Sequence, residues 1–327
     1  MNKPLRKLKG QSRMFETMYS TRKAAGETIL ELAREGVDVI TVAADTSKSM
    51  FTTLLKEDFP ERFIEVGIAE QNMIMVAAGL AATGKIAFVA SYSVFTSMRC
   101  LEQIRTFVAY PNLNVKIIAG LGGLSGGIEG VTHVSTEDLG IVRCIANMIV
   151  LAPSDAVTTK KAIRASVKHQ GPVYIRVGRD PSPLMFDKSY KFEIGVPVIH
   201  REGKDVTLIA TGIVLSEVLR AAEKLKREGI DAGVIEVHTL KPMLKPELIE
   251  KAAEKTGNIV TVEEHNIIGG LGTVISEILA GKGKFNIKKL GLQDTFAESG
   301  TPEELLIKYG LKDYCIVKVV EEMIIKK

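Results

Sequence analysis

The sequence has few cysteines, little net charge and no long apolar run, and each absence excludes a class of protein. The three cysteines form no pair at metal-ligand spacing, so we expect reduced thiols and a cytoplasmic protein. No secretory segment is present, and no apolar run reaches the roughly 20 residues of a membrane helix. The net charge of +4 is too small to predict nucleic-acid binding, and we assign the basic residues 3–9 to a solvated N-terminal arm.

The common phosphate-binding signatures are also missing, although the chain contains 29 glycines. Residues 79–85 have P-loop spacing, but Ile86 stands where Ser or Thr should ligate magnesium. Neither glycine-rich run, 120–130 or 269–272, fits the G-x-G-x-x-G pattern of dinucleotide-binding proteins. The first run still allows backbone to approach a ligand closely.

Alternating apolar and amphipathic segments predict the fold class. Apolar runs rich in β-branched residues are typical of parallel strands buried on both faces, and parallel strands need crossover helices. We therefore expect an α/β protein with two doubly wound domains, of which the first has a mostly parallel sheet. The first domain is predicted over 1–186, a linker over about 187–204, and a smaller second domain over 205–327.

The segment boundaries follow from the apolar runs and from helix start and stop signals. The predicted strands are 37–44, 86–90, 115–119, 148–151 and 173–177, then 206–210, 232–237 and 259–263. The predicted helices are 15–35, 71–83, 97–109, 137–144 and 154–168, then 214–228, 246–256, 273–280, 302–309 and 312–324.

Residues 63–73 have the features of a functional site. An apolar run ends in a glycine turn at Gly67, Glu70 follows, and a helix rich in small residues begins at once. A carboxylate fixed between buried segments is desolvated, which disfavours its ionised form and allows proton exchange near neutral pH. From these residues alone, capping of the helix is the simpler interpretation, because acidic side chains are favourable in a first turn.

The glycine run 120–130 leads to a second candidate, His133. The run follows a predicted strand, and ligands in open α/β sheets bind at the carboxyl ends of strands. His133 would then be an acid, base or hydrogen-bond donor at the mouth of a site. An ordinary loop histidine is the alternative.

The order of several motifs resembles transketolase along nearly the whole chain. Residues 206–280 are similar to its C-terminal domain, whereas the Gly-Asp-Gly signature for magnesium and thiamine diphosphate, which belongs to the other half of that family, is missing. The resemblance implies the C-terminal subunit of a split transketolase, which transfers a two-carbon ketol unit from a ketose to an aldose. The motifs similar to the pyrimidine-binding domain are 63–73, 91–95, 132–133, 152–155 and 173–179.

The resemblance also implies roles for individual residues. Glu70 would be catalytic by hydrogen-bonding the pyrimidine ring of thiamine diphosphate and promoting removal of the thiazolium C2 proton. Phe95 would stack on that ring, and Tyr92 and Ile68 are assigned to the cofactor site as well. The residues implied to bind substrate are Arg22, Ser49, Glu129, His133 and Arg179, and His133 would also be catalytic by assisting proton transfer.

A partner chain is implied because the family binds its cofactor between two protomers. We expect a separate N-terminal subunit in an α2β2 assembly, with the diphosphate and magnesium held mainly by that partner and no metal held by this chain. Two departures affect the substrate. Residues 120–122 replace a phosphate-binding histidine with Gly-Leu-Gly, and 127–130 read Gly-Ile-Glu-Gly instead of Gly-Glu-Asp-Gly. They favour an altered phosphosugar preference, or an unphosphorylated or sulfonated ketose.

Three alternatives stay open at this point. The β-subunit of a 2-oxo-acid dehydrogenase has a similar plan, although residues 91–95 and 132–133 favour transketolase. The second is a split relative of deoxyxylulose-phosphate synthase, which shares the sequence Ile-Ala-Glu-Gln found at 68–71. The third is a non-catalytic regulatory subunit with the same fold. This alternative is weakened by four residues that occur together: Glu70, Phe95, His133 and Arg179.

Overall fold

The computed structural model describes residues 15–325, so the arm predicted over 3–9 lies outside the described residues. The chain forms one sheet of seven strands and a smaller sheet of five, each covered by helices. The α/β class with a mostly parallel first sheet is confirmed. Within 15–325, none of the helices combines the length and apolar character needed to cross a membrane.

The seven-stranded sheet is parallel except at one edge. Its central strands are fully buried, as their β-branched composition predicts, because helices pack on both faces. The strands, in spatial order, are Thr239–Lys241, Ile149–Leu151, Val173–Arg176, Val115–Gly120, Ile86–Tyr92, Val39–Ala43 and Phe63–Glu65. The helical segments around it are Thr21–Arg34, Thr53–Asp58, Pro60–Arg62, Glu70–Ala82, Phe95–Arg99, Leu101–Gln103, Ile104–Ala109, Gly123–Glu129, Asp138–Arg143 and Ala156–Ser166.

The five-stranded sheet is built in the same way. Its spatial order is Asn286–Leu292, Asn258–Asn266, Val206–Ala210, Ala232–Glu236 and Val198–Arg201, and the last strand is antiparallel. Its helical segments are Gly212–Val214, Leu215–Arg227, Glu247–Thr256, Leu271–Leu279, Pro302–Lys308 and Asp313–Ile325.

The first predicted helix is too long at its N-terminal end. It begins at Thr21 because the Ser20 side chain accepts a hydrogen bond from the backbone N–H of Lys23 and so caps it. The preceding Met18–Tyr19 is extended and pairs with Ser182–Pro183.

Four further differences concern strands and helix geometry. The linker predicted over 187–204 ends in Val198–Arg201, which pairs with the second sheet, and Thr239–Lys241 pairs with the first sheet. Asn286–Leu292 was not predicted, because its lysines interrupt the apolar run. The helix predicted over 97–109 consists largely of wide π-helical turns.

A buried junction, comprising Asp138, Arg176, Glu264 and His265, connects the two sheets. Arg176 Nη2 donates to the carbonyls of Ser135 (2.8 Å) and Glu264 (2.9 Å) and lies 3.2 Å from Asp138 Oδ1. Two contacts extend from the junction to backbone N–H groups of the first unit: Leu124 donates to Glu264 Oε1 (3.2 Å) and Gly140 donates to His265 Nε2 (3.1 Å). The glycine-rich run 120–130, called the glycine loop below, is therefore held directly by Glu264 of the second sheet.

Candidate active site

The predicted site residues gather along the carboxyl ends of five neighbouring parallel strands, where open α/β sheets bind ligands. Arg22 joins them from the first turn of Thr21–Arg34. The residues that follow the five strands are Glu70, Ser49, Tyr92 with Phe95, Glu129 with His133, and Arg179.

Glu70 is the first residue of Glu70–Ala82, and its side chain is only 3% exposed. No backbone N–H in residues 15–325 donates to it, so it does not cap the helix by hydrogen bonding. Its Oε2 accepts from Arg99 Nη1 at 2.8 Å, whereas its Oε1 has no partner in the described part of the chain. The carboxylate is therefore buried beside a compensating cation, which the sequence analysis did not predict.

Arg99 was missed by sequence reasoning. Its guanidinium lies 4.3 Å from the centroid of the Phe95 ring while it binds Glu70, so it links the carboxylate to the aromatic side chain. The available signal was its position four residues after Phe95, one helical turn along the chain.

Three rings form a cluster next to this ion pair. The Phe95 and His133 centroids are 5.5 Å apart, and Tyr92 lies 5.8 Å from each of them. His133 Nδ1 lies 2.9 Å from the Thr132 hydroxyl, and its Nε2 has no partner within residues 15–325. This nitrogen is therefore available to exchange a proton with a ligand.

Arg22 and Ser49 form the other end of the site. Arg22 Nη1 donates to Ser49 Oγ (2.6 Å), which also accepts from the Tyr92 hydroxyl (3.2 Å). Burial, together with the positive charge of Arg179, lowers the pKa of Arg22 below its ordinary value. Tyr92 therefore connects this arginine end to the aromatic cluster.

Arg179 completes the arginine end. Its guanidinium pairs with Glu129 (2.9 Å) and Asp180 (3.0 Å). Its backbone N–H donates to Ser125 Oγ at 3.0 Å, so a side chain of the glycine loop fixes its position. Sequence reasoning missed Ser125 and Asp180, because neither role can be seen without the folded loop.

Ile68 is the one predicted site residue outside this network. Its side chain is 77% exposed on the turn before Glu70. Among the residues described, no group of three or more His, Cys, Asp or Glu side chains is arranged to hold a metal ion.

Comparisons with known proteins identify the family. Residues 17–183 match the transketolase pyrimidine binding domain, and residues 195–316 match the transketolase C-terminal domain. A putative transketolase C-terminal section of Methanocaldococcus jannaschii is 44% identical over 92% of this chain and 96% of its own length. Rat transketolase is 33% identical over 94% of this chain but only 49% of its own length.

Solved structures agree with these matches. A chain described as "Split gene transketolase, inactive beta4 tetramer" is 40% identical, with a TM-score of 0.85 over 94% of this chain and 98% of that one. Transketolase from Campylobacter jejuni, at 21% identity and a TM-score of 0.81, has the same fold over 96% of this chain and 48% of its own. The predicted resemblance is confirmed, and this chain belongs to the transketolase family.

Proposed function

We propose that this chain is the C-terminal subunit of a split transketolase and, with a separate N-terminal subunit, transfers a two-carbon ketol unit from a ketose to an aldose. The C2–C3 bond of the ketose breaks and a new bond forms to the aldehyde carbon of the acceptor, so no oxidant or reductant is consumed. The observation that carries the proposal is the buried Glu70 carboxylate, whose Oε1 has no partner within 15–325, beside the aromatic cluster.

The family's domains imply dependence on thiamine diphosphate, and the residues around Glu70 fit that group. When bound, the cofactor supplies an electron sink for carbon–carbon bond cleavage. Glu70 would hydrogen-bond the pyrimidine ring through Oε1, Phe95 would stack on the ring, and Tyr92 and Ile68 would lie beside it. His133 would exchange a proton with a substrate hydroxyl through Nε2.

We assign the diphosphate and magnesium to the N-terminal partner in an α2β2 complex. Support comes from the solved relative, which is described as an inactive tetramer of β chains. We further assign the protein to the cytoplasm, in keeping with its three free cysteines.

The chemical group at the distal end of the substrate differs between the named relatives. A relative from Clostridium sp., 39% identical, is named as a 6-deoxy-6-sulfo-D-fructose transketolase subunit. Another from Phocaeicola vulgatus, 36% identical, is named as an apulose-4-phosphate transketolase subunit. These names support ketol transfer with a distal group that differs between members, and we assign Arg22, Ser49, Glu129 and Arg179 to that end of the substrate.

The test is reconstitution with the N-terminal subunit of the same organism, followed by a thiamine-diphosphate-dependent assay of ketol transfer between sugars. We expect activity only from the two chains together. Glu70→Gln should lower kcat by about 100-fold or more, since a positioned acid or base contributes roughly 10²–10⁴-fold.

Glu254→Gln is a matched control, because Glu254 is an exposed residue of Glu247–Thr256 far along the chain from the site. Full activity of the Glu70→Gln complex would favour a non-catalytic subunit. Decarboxylation of pyruvate in place of ketol transfer would favour the 2-oxo-acid dehydrogenase or deoxyxylulose-phosphate-synthase alternatives.

A further inference from the structure

We propose that Glu129 is a specificity-determining residue that makes the site prefer acceptor sugars with a distal hydroxyl over those with a distal phosphate. The inference rests on the proposed ketol transfer. Its basis is that the two arginines assigned to the distal group, Arg22 and Arg179, already have partners within the chain.

Arg22 has little capacity left to bind an anion. Its Nε and Nη2 donate to the Arg179 carbonyl (3.1 and 2.8 Å), and its Nη1 donates to the Ser49 carbonyl (2.8 Å) and hydroxyl (2.6 Å). These four hydrogen bonds leave one of the five N–H donors of a guanidinium free. Arg22 therefore acts mainly as a support that fixes Ser49 and the Arg179 backbone.

Arg179 is compensated by two carboxylates. The Glu129 carboxylate lies 2.9 Å from its Nη2, and Asp180 accepts from its Nη1 at 3.0 Å, so the two positive charges of this end face two negative charges. A phosphate dianion bound to Arg179 would lie beside the Glu129 and Asp180 carboxylates. Like charges at such close range are unfavourable.

Leu121 adds no polar or positively charged group to offset the carboxylates of Glu129 and Asp180. It belongs to the Gly-Leu-Gly stretch 120–122 that stands where the resemblance implies a histidine, and its apolar side chain is 1% exposed. Both guanidinium groups of the arginine end therefore already have partners within the chain, and this stretch adds no third polar side chain.

A sugar hydroxyl suits the same groups better. Glu129 can accept a hydrogen bond from a hydroxyl without leaving Arg179, because a carboxylate has several acceptor positions. Ser49 Oγ accepts from Arg22 and Tyr92, and its own proton has no acceptor in the described chain, so it can be donated. A hydroxyl both donates and accepts, which matches this mixed set.

The experiment compares D-ribose with D-ribose 5-phosphate as acceptors for the reconstituted complex, using hydroxypyruvate as a donor without a distal phosphate. For the wild type we expect a higher kcat/KM with ribose. Glu129→Gln removes the charge but keeps the shape, and it should lower KM for ribose 5-phosphate by about tenfold, as expected for loss of one nearby like charge. Glu129→Asp keeps the charge, and Glu254→Gln controls for loss of a surface charge.

A wild-type preference for ribose 5-phosphate, or for an acceptor with a distal sulfonate, would overturn the inference. So would an unchanged ratio of the two acceptors in Glu129→Gln. A complex that transfers no ketol unit to any acceptor would instead refute the proposed function. In that case calorimetric binding of ribose and ribose 5-phosphate to wild type and Glu129→Gln decides the inference, with tighter binding of the phosphate to the variant expected.

Discussion

The candidate site and the buried junction both contain charged pairs, but their surroundings differ. In the site, the side chains of Arg99 and Arg179 are 47% and 26% exposed. In the junction, Arg176 is 8% exposed and Asp138 is fully buried. Water or a ligand can replace the partners in the site, whereas the junction pairs have no substitute. We therefore expect substitutions in the site to change binding and turnover, and those in the junction to change stability.

The largest expected effect on stability is at the junction. Arg176→Leu would leave Asp138 buried without its cation and remove the bonds to the Ser135 and Glu264 carbonyls. Breaking a buried pair in this way costs about 3–5 kcal/mol in the free energy of unfolding, measurable by chemical denaturation. Arg34→Leu, which removes an exposed pair with Asp58, should cost about 1 kcal/mol or less. Equal losses for the two variants would erase the contrast between exposed and buried pairs.

The second prediction concerns the pH dependence of stability. Burial raises the pKa of Glu264 from 4.5 to about 7, although Arg176 and the Leu124 N–H act in the opposite direction. The folded protein therefore binds this proton more tightly than the unfolded chain does. The resulting stabilisation is complete below the unfolded value and is lost as the pH rises through about 7.

Glu264→Gln should flatten this dependence. A shift of that size corresponds to a change on the order of 3 kcal/mol between acidic and neutral pH, seen in unfolding curves recorded across the range. Part of the slope should survive, since burial raises the pKa of Glu263 to about 7 as well. Glu254→Gln should leave the slope as in wild type, and a Glu264→Gln slope equal to that control would contradict the prediction.

The same contrast explains how far the sequence could predict the structure. The strands over 86–90, 115–119 and 206–210 were recognised because they are buried on both faces and leave continuous apolar runs. Asn286–Leu292 was missed because it is an edge strand whose lysines, one exposed and one half-buried, interrupt the apolar run. The helix Ala156–Ser166 was predicted to start within two residues of its observed start, because its cap at Asp155 depends on neighbouring residues only.

Contacts between distant parts of the chain were out of reach. The pairs Arg22 with Arg179, Arg99 with Glu70, and Leu124 with Glu264 join residues 157, 29 and 140 positions apart. Only Arg99 with Glu70 joins opposite charges, and the other two contacts use a backbone carbonyl or a backbone N–H, so the side-chain types do not predict the partners. The roles assigned to the site residues and the domain boundaries at 186 and 205 stay predictions.

The smallest expected effect is in the site, at Phe95, and it tests whether an aromatic side chain there serves binding or packing. Phe95→Leu keeps an apolar group but removes the ring that contacts Arg99 and His133. Loss of such ring contacts is worth about 0.5–1.5 kcal/mol, so thiamine diphosphate should bind the complex roughly 2- to 10-fold more weakly by calorimetry, while the unfolding curve stays close to wild type. Phe296→Leu is the control, because Phe296 is 74% exposed. If Phe95→Leu instead lowered stability as a junction variant does and left cofactor affinity intact, the ring would belong to the core, and Glu70 would lose its proposed aromatic neighbour in the cofactor site.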